Sequence, residues 1–142
     1  MNWSYKGKSV NEVSDMPENV HGFVYMITTN IGKKYVGKKT LFSNRKRKFG
    51  KKESATVTDK RKKLYEIVNK ESDWKTYTGS NKDLNDDIAK GVKYTREILH
   101  YAFGKKNLSY LETKELFLRC VIEEHTNYYN GNIGGKFYNQ DT

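Results

Sequence analysis

One cysteine, one proline and no long apolar run are what this sequence has least of, and each scarcity excludes something. Cys120 has no second cysteine to pair with, so no internal disulfide braces the fold. It lies in an apolar helical stretch and reads as a reduced core residue, which predicts a cytoplasmic setting. No histidine can be placed beside it to make it a nucleophile. No apolar run approaches a membrane span, and no signal peptide opens the chain. With neither a basic amphipathic helix nor a lipid anchor, no membrane partner is expected. Pro17 marks a turn just before the first strand. Acids are scarce too: 17 Asp+Glu face 27 Lys+Arg, a net charge of +10. That imbalance does not set a fold, but it predicts attraction to a polyanion, nucleic acid first.

What is present suits one domain. The 142 residues, 35% hydrophobic and 31% charged, predict a modest core under a heavily solvated surface. Residues 1–20 read as a covering arm, or a short strand packed by Trp3 and Tyr5, ahead of a domain over 21–142. Two strands follow, Gly22 to Thr28 and Lys34 to Lys39, rich in β-branched and aromatic residues. Between them Thr29-Asn30-Ile31-Gly32 supplies hairpin chemistry. The hairpin would bring Tyr25 near Tyr35, and Gly37 would let the backbone approach a neighbour closely.

Basic charge concentrates next. Fourteen Lys/Arg lie between Lys33 and Lys63 against two acids, Glu53 and Asp59. Lys39, Lys46, Arg47, Lys48, Lys51, Lys52, Arg61, Lys62 and Lys63 are the candidate DNA contacts, supplying salt-dependent affinity through phosphates. Gly50 to Ser54 is expected to stay flexible until DNA binds. Lys60 to Asn69 has Leu64, Ile67 and Val68 at helical spacing and predicts a helix. Trp74 and Tyr77 read as core, with a base-stacking platform as the alternative.

Ser80 and Asp83 form a capping pattern for a helix carrying Leu84, Ile88 and Val92, with Gly91 as its stop. Val92 to Phe103 predicts a third strand, and His100 on it is more readily structural than catalytic. A long helix is expected over Leu108 to Thr126, burying Leu111, Leu118, Val121 and Ile122. It carries two candidate metal ligands. Glu112 completes a capping box with Ser109, whereas Glu115 lies nearer the apolar stripe. The whole predicts an α/β (α+β) domain, a three-stranded, mainly antiparallel sheet flanked by helices.

Gly22-Phe23-Val24-Tyr25, followed by Tyr35-Val36-Gly37, resembles the two half-motifs of the GIY-YIG nuclease family. Arg45 stands where that family places its catalytic arginine, and a helical glutamate follows downstream. Glu71 to Ser80 and the Asn/Gly-rich tail are similar to small, homing-endonuclease-like members from tailed phages. The resemblance spans roughly residues 21–140. It implies an endonuclease that nicks or cuts double-stranded DNA with one Mg²⁺ or Mn²⁺, acting in the host cytoplasm if phage-encoded. It further implies Arg45 on the scissile phosphate and Glu112 on the metal, with Glu115 as competitor. Tyr25 or Tyr35 would act as general base beside Lys38, since clustered cations favour a phenolate. An asparagine after the helix supports the family's active site: Asn130 is the nearest match, with Asn127 and Asn132 as competitors, and turn chemistry explains all three as well. A separate recognition domain is not expected, so specificity would come from the basic 38–63 segment, from a homodimer, or be loose. The rivals are a nucleic-acid-binding module without turnover and a basic surface for an acidic protein.

Overall fold

The computed structural model describes residues 2–48 and 65–139, with side chains for all of these except 44–48 and 65–68. In chain order the strands are β1 (Trp3–Tyr5), β2 (Lys8–Val10), β3 (Gly22–Thr29), β4 (Lys34–Thr40), β5 (Phe42–Lys48) and β6 (Tyr65–Glu71). Helix α1 (Lys82–Ala89), β7 (Tyr94–Ala102), helix α2 (Lys105–Leu118), β8 (Asn132–Ile133) and β9 (Phe137–Tyr138) follow. The chain forms two compact units, one ending at Leu41 and resuming at Asp73, the other Phe42–Ser72. Among the described residues no helix is long and apolar enough to cross a membrane.

The larger unit is built on a five-stranded sheet ordered β2-β1-β7-β3-β4. Only the β1–β7 pair is parallel. The sheet has five strands rather than three because residues 3–10 join it as a hairpin. Trp3 anchors that hairpin: its ring lies edge-on to Phe23 at 5.0 Å, and its Nε1–H donates to the Trp74 carbonyl at 2.7 Å.

The run in β3 looks nearly continuous because both faces of this strand are covered. Phe23 and Tyr25 meet Trp3 on one side, with Trp74 against Phe23. Val24 packs on the other with Val36, Ala102, Leu108, Leu116, Val121, Ile122 and Ile133. The aromatic side is therefore core, as expected for Trp74, which is fully buried.

Several local expectations are corrected. Helix α1 is capped by Asn81, whose Oδ1 accepts from the Leu84 N–H at 3.0 Å, and not by Ser80. It does stop at Gly91 (φ +99°). Helix α2 starts at Lys105, so Ser109 and Glu112 lie inside it and form no capping box. It ends at Leu118 instead of Thr126. Cys120 adopts φ +53°, its N–H donates to Phe117, and the Val121 N–H donates to Leu116. This is a Schellman stop, with Val121 and Leu116 supplying its apolar contact. Consequently Cys120 is exposed, not core, and Leu118 points outward.

In the smaller unit β5 pairs antiparallel with β6, Arg45 opposite Val68 and Lys46 opposite Ile67. Residues 65–69 are thus strand, not helix. Tyr65, Ile67 and Val68 favour a pleated surface, and so short an apolar pattern fits either period. The expected flexible segment at 50–54 lies outside the described residues.

Candidate active site

Strand β4 is a sheet edge, and an edge leaves outward N–H and C=O groups to satisfy. After α2 the chain returns alongside it. The Lys34 N–H donates to the Asn127 carbonyl at 2.9 Å, and the Tyr129 N–H donates to the Lys34 carbonyl at 2.8 Å. At Val36 a side chain takes over. The Val36 N–H donates to Asn130 Oδ1 at 3.0 Å, while Asn130 Nδ2 donates to the Val36 carbonyl at 2.8 Å. Asn130 is buried, and its amide continues the ladder where the backbone has turned away. The competing asparagines turn elsewhere: Asn127 donates to Glu124, and Asn132 accepts from the Gly135 N–H.

The two motif tyrosines share the aromatic face, because Tyr25 pairs with Gly37 and Ile27 with Tyr35. Their ring centroids stand 6.2 Å apart. Tyr25 is sealed in, hydrogen-bonded to Tyr77 and packed on Trp3. Its phenol lies over Gly37, where a Cβ would stand 2.5 Å from Tyr25 Oη and 2.7 Å from Cζ. Gly79 (φ +82°) covers both rings, with room for a Cβ only 3.1 Å from Tyr35 Cε1. Both glycines are thus fixed by the phenols they touch.

Burial pushes the Tyr25 phenol far above its ordinary range, reinforced by Tyr35, Tyr77 and Glu112. Burial raises Tyr35 as well, with the Ser80 hydroxyl at 3.5 Å acting in the opposite direction. Among the described residues no cation contributes to either shift. Lys38 points to the other face of the sheet, where its Nζ donates to Ser109 Oγ on α2 at 2.9 Å and its charge acts on Glu112.

The two glutamates of α2 have opposite surroundings. Glu115 is fully engaged: Oε1 bonds His100 Nε2 at 2.6 Å, and Oε2 accepts from Arg119 Nε at 2.7 Å. These partners outweigh its burial and hold its carboxyl below the usual range. They also give His100 a structural role. Glu112 is half-buried, and burial raises its carboxyl despite the opposing charge of Lys38.

Glu112 opens on a polar cleft of about 350 Å³ at the β4 edge, lined also by Tyr35, Ser80, Asn81 and Asn130. Four distant stretches meet there. Three predicted site residues, Tyr35, Glu112 and Asn130, line it; Tyr25 lies beneath, Lys38 acts on Glu112 from the side, and Glu115 is absent. Ser80 was missed as a site residue because it read as a helix cap, and Asn81 because no role was read for it. Asn81 does cap α1, but its Nδ2 also donates to the Tyr129 carbonyl and ties this loop to the tail. No group of three or more His, Cys, Asp or Glu gathers among the described residues.

Of the candidate DNA contacts, only Lys39 has a described side chain. Its ammonium is held by Asp73 at 2.6 Å and sits 3.9 Å from the Tyr77 ring centre. Arg45, Lys46, Arg47 and Lys48 are placed on β5 by backbone alone. Lys51, Lys52, Arg61, Lys62 and Lys63 lie outside the described residues.

A family model described as "Putative endonuclease segE, GIY-YIG domain" matches residues 3–133. Searches of curated proteins and of solved structures give no match.

Proposed function

The chain belongs to the GIY-YIG endonuclease family, and on that premise we propose that it hydrolyses double-stranded DNA with one divalent cation, Mg²⁺ or Mn²⁺, held by Glu112. Membership makes it a nuclease acting on DNA. The observation that carries the finer reading is Glu112 opening on the same polar cleft as Tyr35 and Asn130. A half-buried carboxylate whose charge is disfavoured by burial gains most from a cation placed against it. One carboxylate among hydroxyl and amide oxygens fits a hard ion that keeps most of its waters, and does not fit a site built from several ligands. When bound, such an ion offsets charge on the phosphate and lowers the pKa of water.

The chain's own groups supply the rest. Asn130 fixes the β4 edge, and so the positions of Tyr35 and Val36, by closing the ladder. Tyr35 is the phenol placed to pass on a proton, since it opens on the cleft with Ser80 beside it, whereas Tyr25 is sealed and scaffolds Gly37 and Gly79. Lys38 balances Glu112. Arg45 is assigned to the scissile phosphate, whose paired oxygens suit its planar fork. The basic residues of 39–63 supply phosphate affinity, and a homodimer would double the recognised site. The setting we assign is that of the small phage-type, homing-like enzymes, in the cytoplasm.

Plasmid nicking tests this. Wild type and Glu115→Ala should convert supercoiled DNA in Mg²⁺ or Mn²⁺ and not in EDTA. Glu112→Ala and Arg45→Ala should bind DNA yet cut at least about 100-fold more slowly. Wild type that binds without cutting in either ion would leave only a binding module.

A further inference from the structure

The outward face of α2 takes no part in the cleft. Its exposed residues include Lys105, Lys106 and Lys114 and no acid. Interleaved with these lysines are Tyr110 and Phe117, 62% and 51% exposed. Phe137 on β9, 52% exposed, stands edge-to-face with Phe117 at 5.7 Å. Lys106, Tyr110 and Lys114 recur every four residues and so form one ridge, with Phe117 at its end. No carboxylate among the described residues engages the three ammonium groups.

We propose that this face is a second nucleic-acid surface, taking unpaired nucleotides of the DNA by stacking bases on Tyr110, Phe117 and Phe137 while the lysines meet the phosphates. This rests on DNA being the substrate. Aromatic rings alternating with cations are the device that holds single strands, because every base offers a π-face and every linkage an anion. A duplex has its bases already stacked and would leave the rings idle. A second copy of the chain would set three lysines against three, a like-charge contact that disfavours self-association through this face. Opened DNA next to a cut is the natural source of such nucleotides for a nuclease.

The probes are fluorescent dT15 and a duplex of equal length, titrated by anisotropy in EDTA, where no cleavage occurs. The full chain is compared with Tyr110→Ala/Phe117→Ala/Phe137→Ala, and each protein's fold is checked by circular dichroism. Loss of at least tenfold affinity for dT15, with less than twofold for the duplex, is the expected result. Wild type that binds neither probe would fail the DNA reading itself, whereas wild type that binds both without the selective loss would fail this surface alone. Equal losses on both probes, or no loss on either, would overturn the proposal. So would polyglutamate binding that falls with the same substitutions, or a wild-type dimer that they dissociate.

Discussion

Glu112 and Glu115 lie one helical turn apart, yet neutralising them should move stability in opposite directions. Glu112 has its folded-state pKa raised by burial. Its favourable contribution is therefore present below the unfolded carboxylate value and is lost as pH rises through the folded one. At neutral pH burial disfavours the ionised group, and Glu112→Gln should add about 0.5–1 kcal/mol, the gain held down by solvent around a half-buried side chain and by the lost attraction of Lys38. Glu115 has its pKa lowered by His100 and Arg119, so its contribution is present above the unfolded value and is lost as pH falls through the folded one. Its side chain is 13% exposed but Arg119 is 29% exposed, so solvent screens part of the pair. Glu115→Gln should then cost about 1–2 kcal/mol, the lower part of the range for charge-assisted hydrogen bonds. At this chain length 1 kcal/mol moves Tm by about 3 °C. Thermal melts in EDTA at pH 7 should place Glu112→Gln above wild type and Glu115→Gln below it. The gain at Glu112 should vanish as the pH is lowered towards the unfolded carboxylate value. Nicking assays should find Glu112→Gln inactive and Glu115→Gln active. A Glu112→Gln protein that melts lower than wild type, or cuts as fast, refutes the reasoning.

Asn130→Ala leaves the Val36 N–H and carbonyl buried without partners, at about 1–3 kcal/mol for each group. Urea unfolding should show a loss of at least 2 kcal/mol, on the order of two such groups. Asn130→Asp should be no better, because an oxygen would face the Val36 carbonyl. Gly37→Ala drives a Cβ into the Tyr25 phenol, an overpacking worth about 1–3 kcal/mol that Tyr25→Leu in the same chain should partly relieve. Cys120→Gly should stabilise by up to about 1 kcal/mol, since glycine adopts the left-handed conformation of this helix stop without strain.

What could be read from the sequence is what depends on one strand and its neighbour. The alternation of Gly22–Thr29 and Lys34–Thr40 sets which side chains share a face, so Tyr25, Tyr35 and Gly37 come together by register alone. The closeness of Gly37 to Tyr25 is a property of that pairing, and glycine at a strand interior already signals it. The choice between Glu112 and Glu115 was not legible on the same basis. A helical wheel puts Glu115 nearer the apolar side, as observed, but what it finds there is Arg119 one turn on and His100 from another strand. The capping pattern at Ser109 misleads because the true helix start, Gly104, offers no side-chain cap to recognise.

The rest of the cleft was hidden because one backbone reversal decides it. Cys120 takes a left-handed conformation where glycine is the usual choice, so nothing in the sequence marks the end of α2. That reversal turns Val121 and Ile122 into the core. The following segment then runs back along the β4 edge, where Asn127 and Tyr129 bond Lys34 through their backbones. Only then does Asn130 fall opposite Val36 and become a ladder partner in place of an ordinary turn residue. Asn81 closes the same cleft from α1 through the Tyr129 carbonyl, so the loop bearing Ser80 is held by the tail. The place of the amide is therefore a consequence of an unsatisfied sheet edge: a substitution that shifts the return of the chain after α2 should take Asn130 out of the cleft, while the β3–β4 register still holds Tyr35.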